Sequence, residues 1–134
     1  DLARERARQL GLRGAAFPWR TIRGEECSAY WPAGTAAFHV NASIADAVRR
    51  YVQATGDEEF ERDVGVELLV ETARPWRSLG HWRDGTTFCI DGVTGPDEYS
   101  AVVDNNVYTN LMAAMNLHSA ADSAGAAVRP SGSS

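Results

Sequence analysis

Residues 91–110, DGVTGPDEYSAVVDNNVYTN, contain the side chains of this chain that are best suited to chemistry. Two glycines and a proline predict a tightly turned loop that leads into Asp97, Glu98 and Tyr99. A helix start follows directly, so the acidic side chains lie on a fixed loop between an aromatic ring and a helix N-terminus. A general acid needs a pKa that partial burial raises toward the working pH, and this setting favours such burial. Glu98 is therefore the candidate general acid.

The hydrophobic pattern predicts a mainly α-helical chain whose loops carry these residues. A short β-hairpin over 80–93 is expected just before the acidic loop. The predicted helices cover residues 2–10, 35–55, 57–63, 66–79 and 104–121, the third being a short acidic helix or turn. Asp104 is the predicted N-cap of the last helix, and residues 14–34 are predicted to form an irregular aromatic loop of the kind that lines a site. Pro75 predicts a kink or a displaced last turn in its helix.

Length, charge and cysteine content limit the class of protein. The 134 residues, 44% hydrophobic and 23% charged, suffice for one domain. A net charge of -5 gives no electrostatic reason to bind nucleic acid or an anionic membrane, and no apolar run is long enough for a membrane span. Cys27 and Cys89 lack metal-ligand spacing, so reduced thiols in a cytoplasmic protein are expected. The small, polar tail over 122–134 is expected to be disordered.

Three segments of the chain carry a family resemblance, in the same order along the sequence. They are GAAFPWRTIRGEECSAYWPAGTAAFHVNASIADA (14–47), ELLVETARPW (67–76), and GPDEY followed by VDNNVYTN (95–110). They resemble glycoside hydrolase family 65, which holds maltose, trehalose and kojibiose phosphorylases and acid trehalase-like hydrolases. The resemblance covers almost the whole chain up to about Ala121. It implies that residues 1–121 are part of an (α/α)6 catalytic barrel, with the hairpin preceding the catalytic loop.

The resemblance assigns roles to the residues of the acidic loop. Glu98 matches the glutamate that protonates the glycosidic oxygen in the family. Asp97 is not expected to be a second catalytic carboxylate, because adjacent side chains of an extended loop point apart. An inverting pair holds its carboxyls about 6.5–9.5 Å apart, on opposite faces of the sugar. Asp97 is instead expected to bind a sugar hydroxyl or to order the loop, and Tyr99 is expected to contact the substrate.

The upstream segment supplies further expected contacts to the sugar. Trp19 and Arg20, in FPWR, resemble the family's aromatic and polar pocket wall. Indole faces stack on sugar rings, and a guanidinium donates paired hydrogen bonds. Glu26 and His39 match family positions near the substrate. The structural alternatives are a tryptophan that fills the core beneath its loop, a solvated acidic turn at Glu26, and a histidine that only packs in its helix.

The resemblance implies inverting phosphorolysis of an α-glucosyl disaccharide, of trehalose or maltose type, to β-glucose 1-phosphate and glucose. Inorganic phosphate is the expected co-substrate, no metal or other cofactor is expected, and a homodimer is one expected assembly of the intact enzyme. No motif here resembles a phosphate cradle, so the nucleophile site is expected in other segments. Two alternatives stay open: a hydrolase on the same scaffold, and a truncated remnant without activity. Ser43 and Pro75 depart from the family's pattern, as they would in a gene under relaxed constraint.

Overall fold

The structure, a computed structural model, describes residues 1–27, 36–97 and 102–128. Helices predominate, and two short antiparallel hairpins lie between them. The helices are α1 (Leu2–Gln9), α2 (His39–Thr55), α3 (Glu58–Phe60), α4 (Val66–Leu79) and α5 (Val107–Val128), and a π-helical turn, Glu61–Gly65, joins α3 to α4. The strands are β1 (Thr21–Ile22), β2 (Glu25–Glu26), β3 (His81–Arg83) and β4 (Thr87–Cys89). A mainly helical chain with a hairpin ahead of the acidic loop is confirmed.

Helices α2, α4 and α5 pack against one another and form the core. Two buried clusters lie between them: Ala42, Trp76 and Ala113 in the first, and Val48, Leu69 and Ala120 in the second. Early positions of α2 and α5 therefore meet late positions of α4, so α4 runs antiparallel to both. Consequently the N-termini of α2 and α5 and the C-terminus of α4 lie at the same end of the bundle. We call it the loop end, because the loops that precede α2 and α5 converge there.

Pro75 lies inside α4, which continues without interruption to Leu79. A proline has no N–H, so it leaves the carbonyl of Glu71 without its helical partner. The N–H of Ala15 donates to that carbonyl over 2.9 Å, which satisfies it from outside the helix. Gly14 permits this approach, because a Cβ at that position would lie 2.5 Å from the same oxygen. The expected displacement of the last turn is wrong, and Pro75 has a structural use.

Asn41, on α2, fastens the segment before Trp19 to the core. Its side chain is 2% exposed and makes three hydrogen bonds. Its Oδ1 accepts from the N–H of Phe17 (2.9 Å), and its Nδ2 donates to the carbonyls of Ala15 (2.7 Å) and Thr72 (3.1 Å). A buried amide with three partners fixes the backbone around it, because each lost bond would leave a buried polar group unpaired.

Asn116, on α5, makes the corresponding polar link to α4. It is fully buried, its Oδ1 accepts from the indole N–H of Trp76 (3.0 Å), and its Nδ2 donates to Thr72 Oγ1 (3.1 Å). These bonds set the register of α5 against α4, and therefore the position of the α5 N-terminus at the loop end.

Both hairpins turn through two residues of positive φ. β3 and β4 pair antiparallel around three residues, 84–86, of which Asp84 and Gly85 have positive φ (53° and 69°). β1 and β2 also pair antiparallel around two residues of positive φ, Arg23 and Gly24. The second hairpin lies within residues 14–34, so the prediction that this whole stretch is irregular is wrong at 21–26.

The last helix begins and ends later than predicted. Asn106, not Asp104, caps it: Asn106 Oδ1 accepts from the N–H of Thr109 over 3.1 Å. The helix extends to Val128, so residues 122–128 are helical rather than disordered, and residues 129–134 lie outside the described part. Within the described ranges, no helix is both long and apolar enough to cross a membrane.

Candidate active site

A small cleft at the loop end brings three predicted site residues together. Its volume is about 30 Å³, and it lies where the loop after β4 meets the segment before β1 and the start of α2. It is lined by Trp19, Ala37, His39, Thr94, Gly95, Pro96 and Asp97. Trp19, His39 and Asp97 were each predicted to contact the substrate, although they are far apart in sequence. Glu98 and Tyr99 follow Asp97 directly in the chain and lie outside the described residues.

The loop that carries Asp97 is closed at its base by backbone pairing. Val93 and Val103 form an antiparallel bridge, with N–H to carbonyl distances of 3.0 and 2.8 Å. Asp104 Oδ1 accepts from the N–H of Gly92 (3.0 Å), which is why it does not cap α5. Asn105 adopts a positive φ of 51° and binds the backbone of Ile90 through its own N–H (2.8 Å) and its Oδ1 (3.1 Å). Both ends of the loop are thereby fixed to the core.

Thr94 is the first residue of this loop and forms the floor of the cleft. Its N–H donates to the carbonyl of Ala36 (3.2 Å), and its carbonyl accepts from Thr109 Oγ1 (3.1 Å). Its side chain is 1% exposed, yet Thr94 Oγ1 makes no hydrogen bond with any described residue. A buried hydroxyl without a partner is unusual, and its position at the cleft makes it available to a ligand hydroxyl. No sequence motif marks Thr94 beyond its place two residues before Pro96.

His39 begins α2 and presents a neutral imidazole to the same cleft. Burial lowers its pKa below the ordinary value of 6.5, and a hydrogen bond to the backbone of Thr94 only partly opposes that shift. The ring makes an edge-to-face contact with Tyr108, at 5.8 Å between centroids. Its Nδ1 is buried and unbonded among the described residues. A neutral imidazole with a free nitrogen can bind a sugar hydroxyl without any added charge.

Trp19 is held by a carboxylate that we had predicted to contact the substrate. Glu26 Oε2 accepts from the N–H of Trp19 (2.8 Å) and lies 3.8 Å from the guanidinium of Arg6. The guanidinium of Arg20 lies over the indole, 4.5 Å from the ring centroid. Glu26 and Arg20 therefore both contact Trp19, and neither lines the cleft. In this arrangement Glu26 orders the loop, and its predicted contact with a sugar stays a prediction.

The residues that line the cleft bring an indole, an imidazole, a hydroxyl and a carboxylate to one place: Trp19, His39, Thr94 and Asp97. Its volume of about 30 Å³ admits a hydroxyl-sized group rather than a whole sugar ring. In the described ranges, no group of three or more His, Cys, Asp or Glu side chains could hold a metal ion.

Comparison with known proteins decides the family. Residues 1–131 match the glycosyl hydrolase family 65 central catalytic domain. The chain belongs to this family. It is 66% identical over 122 residues to an uncharacterized glycosyl hydrolase of Mycobacterium tuberculosis, a match that covers 91% of this chain and 16% of that protein. It is 60% identical over 124 residues to the α,α-trehalose phosphorylase of Thermoanaerobacter brockii, covering 91% of this chain and 16% of the relative.

A solved structure shows the same fold over most of this chain. A human-microbiome protein provisionally named a kojibiose phosphorylase superposes with a TM-score of 0.84 at 33% identity, covering 90% of this chain and 18% of that one. The chain thus spans about a sixth of the length of the family 65 relatives it matches. Family 65 membership makes residues 1–131 part of a glycosyl hydrolase family 65 central catalytic domain.

Proposed function

We propose that this chain forms the acid-bearing side of the active site of an inverting disaccharide phosphorylase. Glu98 donates a proton to the glycosidic oxygen of an α-glucosyl disaccharide while that oxygen leaves the anomeric carbon. An oxygen of inorganic phosphate attacks the same carbon from the opposite face. The products are β-glucose 1-phosphate and glucose. The chain is the corresponding part of an (α/α)6 barrel, and the activity belongs to the complete catalytic domain.

One observation carries this proposal: Trp19, His39 and Asp97 line a single cleft. The loop that contains Asp97 continues directly into Glu98. The packing of α2, α4 and α5 and the Val93–Val103 bridge bring these residues together. Glu98 is the next residue after Asp97 in the sequence, which supports its role as the acid for a sugar bound at this cleft.

The lining residues take separate roles in this proposal. The indole of Trp19 stacks on an apolar face of the glucose ring. His39 Nδ1 and Thr94 Oγ1 bind sugar hydroxyls, since each is buried and unbonded within the described ranges. Asp97, at the same cleft, binds a further hydroxyl. Tyr99, the residue after Glu98, contacts the substrate as well. Arg20 and Glu26 keep Trp19 in place.

The trehalose type is the preferred substrate class. The 60% identity to an α,α-trehalose phosphorylase supports it, whereas the solved structure named for kojibiose is 33% identical. We propose that phosphate, the co-substrate, binds to other segments of the complete domain and that no metal or organic cofactor is used. We further propose a cytoplasmic enzyme that binds neither nucleic acid nor membrane, with a homodimer as its assembly.

A segment exchange tests the proposal. The matching segment of the Thermoanaerobacter brockii trehalose phosphorylase is replaced by this chain, and the chimera is incubated with trehalose with and without phosphate. We expect phosphate-dependent β-glucose 1-phosphate that is lost in Glu98→Gln and reduced but measurable in Asp97→Asn. The same assay with maltose and kojibiose defines the disaccharide.

The other outcomes are equally informative. Glucose released at the same rate without phosphate would mean a hydrolase. An active chimera whose product is unchanged by Glu98→Gln would refute the assignment of the general acid. A folded chimera without any activity would favour the remnant, since the rest of that enzyme is competent.

A further inference from the structure

A second pocket of the described molecule is lined by three arginines and a serine. It lies beside the last turns of α4, has a volume of about 570 Å³, and is lined by Arg13, Arg74, Arg77 and Ser78. Arg74, Arg77 and Ser78 are three and four residues apart, so they share one face of α4. None of the residues that line it belongs to the cleft described above, and none of the candidate roles assigned so far uses them.

The segment that carries Arg13 is fixed against α4. The N–H of Arg13 donates to Ser78 Oγ over 3.1 Å, and two residues later the N–H of Ala15 donates to the carbonyl that Pro75 leaves free. Gly14 lies between these two bonds, against Arg74 and Pro75. The backbone of the segment that carries Arg13 is therefore fixed against α4, and the exposed side chains of the pocket extend from it and from the helix.

Only part of the charge in this pocket is compensated. Arg74 pairs with Glu71 at 2.8 Å, and Arg4, which shares Glu71 at 3.1 Å, has a second carboxylate partner in Glu67. Arg13 and Arg77 form no ion pair with any residue in 1–27, 36–97 or 102–128. This concentration of positive charge occurs in a chain whose net charge is -5. An anion between the guanidiniums would offset their mutual repulsion.

We propose that this pocket binds a phosphate group, either as inorganic phosphate or as the phosphate of a sugar phosphate. Planar guanidiniums donate paired hydrogen bonds to tetrahedral oxyanions, and three arginines line this pocket. Ser78 Oγ accepts from Arg13 and keeps its own hydrogen to donate. The volume is in the usual range for a small-molecule site and admits a hexose phosphate. The site is independent of the cleft that holds the acid.

A titration of the full chain with inorganic phosphate at constant ionic strength tests the proposed site. Binding is measured by calorimetry and by the amide chemical shifts of the protein. We expect saturable binding in the millimolar range, with shifts centred on residues 13–14 and 74–78. Arg13→Gln and Arg77→Gln should each weaken it about tenfold, as the loss of a charge-assisted hydrogen bond would. Arg83→Gln, which removes the same charge from the exposed strand β3, should leave it unchanged.

A parallel titration with glucose 1-phosphate separates the two sources of the phosphate group, since tighter binding would identify the sugar phosphate as the ligand. Absence of saturable binding for both probes would overturn the proposal. An equal loss in Arg83→Gln would also overturn it, because the effect would then be one of net charge. Shifts confined to residues 91–97 would place the phosphate in the cleft instead and refute this site.

Discussion

Thr94 and Thr109 are both buried threonines, and we expect the same substitution, to valine, to have opposite effects on them. The hydroxyl of Thr109 donates to the carbonyl of Thr94 over 3.1 Å, whereas the hydroxyl of Thr94 has no described partner. The two side chains are 0% and 1% exposed, so the change from hydroxyl to methyl occurs at equal burial. What differs between the sites is the hydrogen bond alone.

The expected magnitudes follow from the energetics of buried hydroxyl groups. A buried donor or acceptor without a partner costs about 1–3 kcal/mol, so Thr94→Val should stabilise the free chain by about 1 kcal/mol. Thr109→Val removes one hydrogen bond to the buried Thr94 carbonyl and leaves only the contact with His39, so it should destabilise by about 1.5 kcal/mol. Urea unfolding followed by far-ultraviolet circular dichroism measures both, and an unchanged m-value shows that stability alone has changed. The melting temperatures should move in opposite directions, by about 4 °C per kcal/mol.

A Thr94→Val variant that loses as much stability as Thr109→Val would refute the reasoning. Such a result would mean that the hydroxyl of Thr94 is hydrogen-bonded in the free protein. It would then offer nothing to a ligand, and its proposed role in the cleft would fall with the prediction.

Three further predictions concern the framework of the site. Asn41→Leu should lower the free energy of unfolding in urea by about 3 kcal/mol, because three buried hydrogen bonds are lost. Ser43→Ala, which removes an exposed hydrogen bond, should change that free energy by less than about 0.5 kcal/mol. Equal effects would contradict the role given to Asn41. Gly14→Ala should lower the free energy of unfolding by about 3 kcal/mol, because the new Cβ would clash with the Glu71 carbonyl. Gly92→Ala should lower it by about 1 kcal/mol, because Gly92 has a positive φ but open space around it. A larger loss in Gly92→Ala than in Gly14→Ala would exclude the clash. Burial lowers the pKa of His39, so as the pH falls below 6.5 the unfolded chain binds a proton at this residue before the folded chain does. The free energy of unfolding should therefore decline with falling pH until the pKa of the folded state is reached. His39→Gln should remove this decline from urea-unfolding measurements made across that pH range, and an unchanged decline would disprove the burial effect.

The regular helices could be predicted from the sequence because their signals are local. Periodicity gave α4 its observed bounds, Val66–Leu79, and Gly56, with a φ of 64°, ends α2 as predicted. The strands β1 and β2 have only two residues each, which is too few to show an alternation of polar and apolar side chains. Gly24, in the turn between them, was the one sequence feature that indicated this hairpin.

What the sequence could not provide depends on contacts distant in the chain. Three successive residues are of types that cap helices well: Asp104, Asn105 and Asn106. Asp104 binds the N–H of Gly92 instead, and this contact, distant in the sequence, leaves Asn106 to cap the helix. Pro75 read as a defect because the N–H of Ala15, which satisfies the freed carbonyl, comes from a segment far away in the sequence. Family resemblance, not periodicity, supplied Trp19, His39 and Asp97 as candidates.

The bridge between Val93 and Val103 has a consequence for how this site can change. Asp104 and Asn105, together with the backbone of Ile90 and Gly92, hold both ends of the acidic loop. Thr94, the first residue of the loop, is anchored to Ala36 and Thr109 as well. Residues outside the loop thus hold its base, and substitutions at 95–97 can alter the cleft while the paired base and the helices below stay in place.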